Sequence, residues 1–129
     1  MFNNLQPFIY LSRETLKSKL ESNSNIVIID VREDDHIGGH RKNSFHIPAN
    51  KFEENITKVL QLINTADEVI LHCQESIKRS PRCAKLLFNI IGKQIYILEG
   101  GFDQWVRKFW NTDLVEDYDE NYYFQNVIA

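Results

Sequence analysis

A cysteine and an arginine with five residues between them stand at the two ends of a polar segment, Cys73-Gln74-Glu75-Ser76-Ile77-Lys78-Arg79. A thiolate can attack an electrophilic phosphorus, and a guanidinium can grip two oxygens of a tetrahedral oxyanion. The aliphatic run Val69-Ile70-Leu71 precedes the cysteine, and Ser80 and Pro81 follow the arginine before a new apolar pattern begins. Proline suits the first turn of a helix, where a missing N–H costs no bond. The spacing therefore predicts a buried strand, a tight loop over 74–80 and a helix N-terminus. Such a loop turns its backbone N–H groups toward its own centre, and the helix dipole adds partial positive charge there. An anion cradle of this kind favours a thiolate at its base. Cys73 and Arg79 are then the catalytic pair, and Gln74, Glu75, Ser76, Ile77, Lys78 and Ser80 form the anion-binding loop. The competing reading is a core cysteine at a strand end and a surface arginine.

The elements around the loop can be read from apolar patterns. Ile26-Val27-Ile28-Ile29, Val69-Ile70-Leu71 and Ile95-Tyr96-Ile97-Leu98 are β-branched and nearly unbroken. Strands covered on both faces, as in a parallel sheet, read this way. Ser12 can cap a helix through Leu16 and Leu20. Phe52, Ile56, Val59, Leu60 and Ile63 form one helical stripe, and Ala84, Leu87, Phe88 and Ile91 another that Gly92 is placed to end. A last short helix is expected from Phe102 to Phe109. The stretch Asp34 to Pro48 reads as irregular connection turning at Gly38-Gly39. Alternating strands and helices predict an α/β layered domain. In such sheets ligands bind beyond the carboxyl ends of the strands, where Cys73 falls.

Bulk properties narrow the function classes. A chain of 129 residues with 43% apolar content fits one domain with a real core. No apolar run approaches the length of a membrane span, and MFNNLQPFIY lacks the marks of a signal peptide. Two cysteines are too few for a disulfide framework and point to a reducing compartment, cytoplasmic and/or nuclear. Asp113, Glu116, Asp117, Asp119 and Glu120 make 111–129 an acidic, solvated C-terminal tail without Lys or Arg, and the remainder carries a net charge of +2. That remainder tolerates an anionic ligand but is not basic enough for nucleic acid. No signal sets an oligomeric state.

The segment His72-Cys73-Gln74-Glu75-Ser76-Ile77-Lys78-Arg79 resembles the His-Cys-x5-Arg signature of protein tyrosine and dual-specificity phosphatases. Ile28-Ile29-Asp30-Val31-Arg32, Gly38-Gly39-His40 and Ile47-Pro48 resemble the first-strand and following-turn motifs of rhodanese-like domains. Leu98-Glu99-Gly100-Gly101-Phe102, with Trp105, resembles the segment that closes that fold. Together they are similar to the single-domain rhodanese-like phosphatases of the M-phase inducer class. That group includes small fungal and protozoan phosphatases and arsenate reductases. The resemblance implies a rhodanese-like three-layer catalytic domain over 1–110, with a central, mainly parallel sheet flanked by helices. It implies a cysteine-dependent protein tyrosine or dual-specificity phosphatase working through a cysteinyl-phosphate, acting on a phosphoprotein or small oxyanion. It implies an arsenate reductase using glutathione or glutaredoxin as the alternative. Sulfurtransferases of the superfamily typically have a loop one residue shorter, so the length here disfavours sulfur transfer.

This chain departs from the resembled pattern in places. Arg79-Ser80-Pro81 stands where relatives often have Arg-Gly-Pro, and Ser80 is expected to cap the helix or bond a loop oxygen. Glu75 puts a carboxylate in the loop and is expected to face outward or carry a proton. These two favour a third reading, a weakly active phosphate-binding module. His40-Arg41 replaces the usual His-Ile and reads as a local surface change. Asp30 and Arg32 read as structural, and His72 as a supporting residue that bonds loop backbone. His36, His40 and His46 lack zinc-ligand spacing with the cysteines, so no metal and no bound cofactor are expected. The general acid stays open among Glu75, Asp34, Asp35, Asp103 and the substrate's own proton. Cys83 reads as helix packing, with a resolving thiol as the alternative. Lys78 and Arg82 are expected to add positive potential at the mouth.

Overall fold

A computed structural model describes residues 6–22 and 25–122. In chain order the elements are β1 (Ile9–Leu11), α1 (Arg13–Glu21), β2 (Ile26–Asp30), β3 (His40–Arg41), β4 (Phe45–His46), α2 (Ile56–Ile63), β5 (Glu68–His72), α3 (Arg79–Ile91), β6 (Ile95–Leu98), α4 (Gly101–Phe109) and β7 (Val115–Glu116). Short 3-10 turns cover Asp34–His36 and Ala49–Lys51. Five strands pair in parallel in the order β1-β6-β5-β2-β4, and β3 and β7 form a separate antiparallel pair.

The β-branched runs form the centre of the sheet because both their faces are covered. In register, Ile29 lies beside Leu71 and Leu71 beside Ile97. Their side chains meet Val59 and Ile63 of α2 and Ala84, Leu87 and Phe88 of α3. One residue back, Ile28 and Ile70 point to the other face. There they meet Leu16 of α1 and Phe102, Trp105, Val106 and Phe109 of α4. Two cores sandwich one sheet, which is the three-layer rhodanese-like architecture the sequence implies. The same register sets Asp30 beside His72 at the carboxyl ends of β2 and β5, and the Val31 amide donates to the His72 carbonyl at 2.8 Å. The start of the loop after His72 is thereby fixed by the buried centre of the sheet.

The helix boundaries follow local chemistry. Ser12 caps α1 by accepting the Thr15 amide at 3.0 Å. Gly92 closes α3 in the left-handed conformation at φ 63°, its N–H donating to Phe88 at 2.8 Å. Among the described residues no helix is long and apolar enough to cross a membrane.

Four expectations need correction. The stripe from Phe52 to Ile63 is not one helix: Phe52 is buried at the end of the Ala49–Lys51 turn, and α2 begins only at Ile56. The stretch from Asp34 to Pro48 is more ordered than irregular connection, because it carries β3 and β4. The acidic segment from 111 is not simply solvated. Val115 is buried in β7, and Leu114, Tyr118 and Tyr122 pack on the α1/α4 core, so the folded unit continues past 110. The last seven residues of that segment, and the first five of the chain, lie outside the described residues. Arg41 is not a surface change: it is 2% exposed.

Candidate active site

Cys73 follows β5 directly and is 3% exposed, so its sulfur lies at the base of the loop. Arg79 is the first residue of α3, and Pro81 lies in that helix's first turn. The thirteen-residue helix therefore aims its positive end into the loop. Ser76 bends the chain, with φ at +60° and 1% exposure. Few non-glycine residues adopt that conformation without compensation. Here its hydroxyl oxygen accepts the Cys73 amide at 3.4 Å, and its carbonyl accepts the Tyr10 hydroxyl at 3.0 Å.

The carbonyls of the loop are drawn outward by a second helix. The amide of Phe102 donates to the Cys73 carbonyl at 3.0 Å, and that of Asp103 to the Gln74 carbonyl at 2.9 Å. The first turn of α4 thus caps the back of the loop, and Gly101 permits the approach. A Cβ at Gly101 would lie 2.5 Å from the Cys73 carbonyl oxygen and 2.6 Å from that of Gln74. With these carbonyls held behind, the amides of 74–79 donate to no protein acceptor among the described residues. Backbone N–H groups left without a protein acceptor in a tight turn are the donors that an anion nest uses. A cavity of about 340 Å³ opens over it, lined by Asp35, Cys73, Gln74, Glu75, Ile77, Lys78 and Arg79.

Arg79 is held by carboxylates. Its Nη1 and Nη2 donate to Asp35 at 2.9 and 2.5 Å, with Glu33 at 3.6 Å. The Asp35 bond pushes Arg79 further upward from its ordinary value. Burial alone would raise Asp35, but the Arg79 bond and the Glu33 amide outweigh it, and Asp35 titrates below the ordinary aspartate range. Arg79 thus stands in an ion pair at the cavity wall.

Ser80 does not cap α3. It is fully buried, and its hydroxyl lies 3.5 Å from the Cys73 sulfur, while the cap position is Lys78 without a side-chain bond. Glu75 is exposed at the cavity rim. Of the carboxyl groups considered as acids, Asp35 and Glu75 border the cavity, whereas the Asp103 carboxylate faces Arg107 at 3.2 Å. Lys78 lines the cavity mouth, whereas Arg82 is exposed outside it. Cys83 is buried, and burial pushes its thiol up to about 12, as fits a packing residue. His36 stacks on His46 at 3.7 Å and on His40 at 5.8 Å, yet no metal-binding group of three His, Cys, Asp or Glu exists among the described residues.

Beneath the loop, Arg32 and Asp30 form a fully buried pair. Arg32 Nη2 and Nε donate to the carboxylate at 2.7 and 3.0 Å, Nη2 also reaches the Gly39 carbonyl at 2.9 Å, and Nη1 reaches Gln74 Oε1 at 3.3 Å. The guanidinium lies 4.1 Å over the Phe102 ring. The pair thereby ties β2, the Gly39 turn, α4 and the loop together. Removing one partner of such a pair typically costs about 3–5 kcal/mol, because the other charge is left buried.

His72 is fully buried, with Nδ1 at 3.4 Å from the Cys73 carbonyl oxygen and 4.0 Å from Asp30. Burial, only partly offset by Asp30, lowers it to about 4. The unfolded chain binds a proton on this group near pH 6.5. A depressed folded value means that its contribution is full above 6.5 and lost as pH falls through about 4. Asp30 adds to the loss at lower pH: burial raises it, His72 and Arg32 more than compensate, and it titrates at about 2. Urea midpoints measured from pH 7 to 4 are expected to fall by the equivalent of about 3 kcal/mol. In His72→Gln most of that slope disappears.

Sequence reasoning found the loop but missed the residues that shape it. Tyr10, 66 positions from Ser76, and the amides of Phe102 and Asp103 carry no local signal of their contact with the loop. Only the Gly100-Gly101 pair hints at a close approach.

The family model for the rhodanese-like domain matches residues 12–108, and the chain belongs to that family. It is 35% identical over 95 residues to dual specificity phosphatase Cdc25 of Arabidopsis thaliana, across 67% of this chain and 65% of that protein. It is 31% identical over 109 residues to arsenate reductase 2.1 of Oryza sativa subsp. japonica, across 74% of this chain and 66% of that protein. The chain thus spans just under two thirds of the length of each of these relatives. A Saccharomyces cerevisiae crystal structure, described as a homolog of single-domain rhodanese and the Cdc25 phosphatase catalytic domain, superposes with a TM-score of 0.77. The identity is 23%, and the match covers 89% of this chain and 91% of that one. That likeness is one of fold.

Proposed function

We propose that the chain is a metal-independent cysteine phosphatase acting on phosphorylated protein side chains. The observation that supports the reading is the set of unengaged amides over 74–79, in a short loop that lines one cavity together with Cys73 and Arg79. Arg79 exchanges Asp35 for two oxygens of the phosphoryl group. The Cys73 thiolate attacks phosphorus; the S–P bond forms as the P–O bond to the substrate breaks. The leaving oxygen takes a proton, and of the carboxyl groups lining the cavity Glu75 is the one outside the Arg79 ion pair and so the candidate acid. Water then attacks phosphorus and releases phosphate and the free cysteine. Loop amides and Arg79 neutralise charge on the equatorial oxygens throughout. Ser80, 3.5 Å from the sulfur, donates its hydroxyl to the thiolate. The cavity opens directly at the surface, with Ile77 63% exposed at its rim, which suits a side chain presented by another protein.

A second reading rests on the same cradle. Arsenate matches phosphate in shape and charge, and one relative is an arsenate reductase. In that reaction Cys73 forms a thiol–arsenate adduct, and glutathione or glutaredoxin supplies the two electrons. Aryl phosphate hydrolysis and arsenate-dependent glutathione oxidation, measured side by side, separate the two. Hydrolysis at tens of turnovers per minute or more, with background glutathione oxidation, is expected. Glutathione oxidation without phosphate release replaces the phosphatase by the reductase, and inactivity in both assays leaves only the binding module.

A further inference from the structure

A second cavity lies away from Cys73, and its most buried polar wall is Arg41. The cavity measures about 460 Å³ and is bounded by α1, the β3 end and the segment before β7. Arg41 is 2% exposed, yet none of its guanidinium N–H groups has a hydrogen-bond or ion-pair partner among the described residues, and its Nε is wholly enclosed. A guanidinium carries five donors in a rigid fork, and burying it without an acceptor is costly.

The neighbouring groups do not supply that acceptor. The Trp105 ring is 6.0 Å away, a weak cation–π distance. Glu116, across the β3–β7 pair, turns to His40 at 3.8 Å. The rim acids are engaged by rim lysines: Glu21 by Lys17 at 3.3 Å, and Asp113 by Lys42 at 3.6 Å. Burial, with Glu116 only partly offsetting it, pushes Arg41 down to about 10, so it remains a cation at neutral pH.

We propose that this cavity is a second ligand site, in which Arg41 binds the oxyanion group of a small organic anion. An oxyanion there competes with Glu21 and Asp113 for Lys17 and Lys42 at the rim, and Leu20 and Leu114 on the wall cover its carbon skeleton. A phosphate ester and a carboxylate share the chemistry that the fork recognises. The site is distinct from the cradle at Cys73 and shares no lining residue with it.

The test is a nitrogen-resolved NMR titration of the full chain, with inorganic phosphate and with citrate as the two probes. The Arg41 Nε–H and the amides of Asn43 and Leu114 are expected to shift saturably with at least one probe, and the tighter probe tells phosphate from carboxylate. Arg41→Met, which replaces the buried cation by an apolar chain of similar length, is expected to weaken binding at these signals tenfold or more while shifts at 74–79 persist. If that variant does not fold, Lys42→Glu at the exposed rim serves, with a severalfold loss expected. The proposal is overturned if neither probe moves the Arg41 signals, or if they shift with unchanged affinity in the variants.

Discussion

Replacing Cys73 by serine lowers aryl phosphate turnover about a thousandfold or more, while inorganic phosphate still binds. A serine hydroxyl is far less acidic than a thiol and stays protonated, so the nucleophile is lost. The binding determinants remain: the amides of 74–79, the helix dipole of α3 and Arg79 belong to backbone or to other side chains. Loss of kcat with unchanged phosphate inhibition is therefore the expected pattern, read from steady-state kinetics and a thermal-shift titration. Turnover like that of the parent protein removes Cys73 as the nucleophile.

The second large effect is expected at Gly101, a residue that touches no substrate. Alanine there is forced into φ +62° and sets its Cβ against the Cys73 and Gln74 carbonyls at 2.5 and 2.6 Å. Backbone on both sides leaves no flexible chain to yield. Left-handed strain and overpacking together cost about 2–4 kcal/mol. Relief requires α4 to back away from the loop, which breaks the hydrogen bonds that the Phe102 and Asp103 amides donate to those carbonyls. Gly92→Ala is the control, because Gly92 has nearly the same φ, +63°, and no atom in the way of a Cβ. Denaturant midpoints are expected to drop modestly for Gly92→Ala, about 1 kcal/mol. Gly101→Ala is expected to lose more stability and, in its folded fraction, most of its turnover. Equal midpoints and equal turnover for the two variants contradict the role given to α4.

The loop between β5 and α3 was legible because its signal is local. A strand, a short polar run and a proline fix where Cys73 and Arg79 fall, and a loop between a buried strand and a helix start has few shapes. The three inner strands were legible for the same reason, their β-branched runs recording cover on both faces. What failed depends on distant contacts. Arg41 read as surface because charge normally marks exposure, whereas the β3–β7 pair and Trp105 enclose it. Ser80 read as a cap or as a partner for a loop oxygen, but its place one residue inside α3 sets the hydroxyl beside the Cys73 sulfur instead. The segment after 110 read as solvated from its acids, yet Leu114, Val115 and Tyr118 between those acids hold it to α4. The three-residue β1 is too short to show a period, although it places Tyr10 on the loop.

In the function proposed for this chain, the loop from Cys73 to Arg79 closes around an oxyanion. The most direct test is a nitrogen–proton correlation spectrum of Cys73→Ser titrated with inorganic phosphate. The amides of 74–79 and the Arg79 side-chain N–H signals are predicted to move together, downfield and to saturation, with one dissociation constant. If phosphate leaves those signals in place while the protein remains folded, the loop is not an anion cradle.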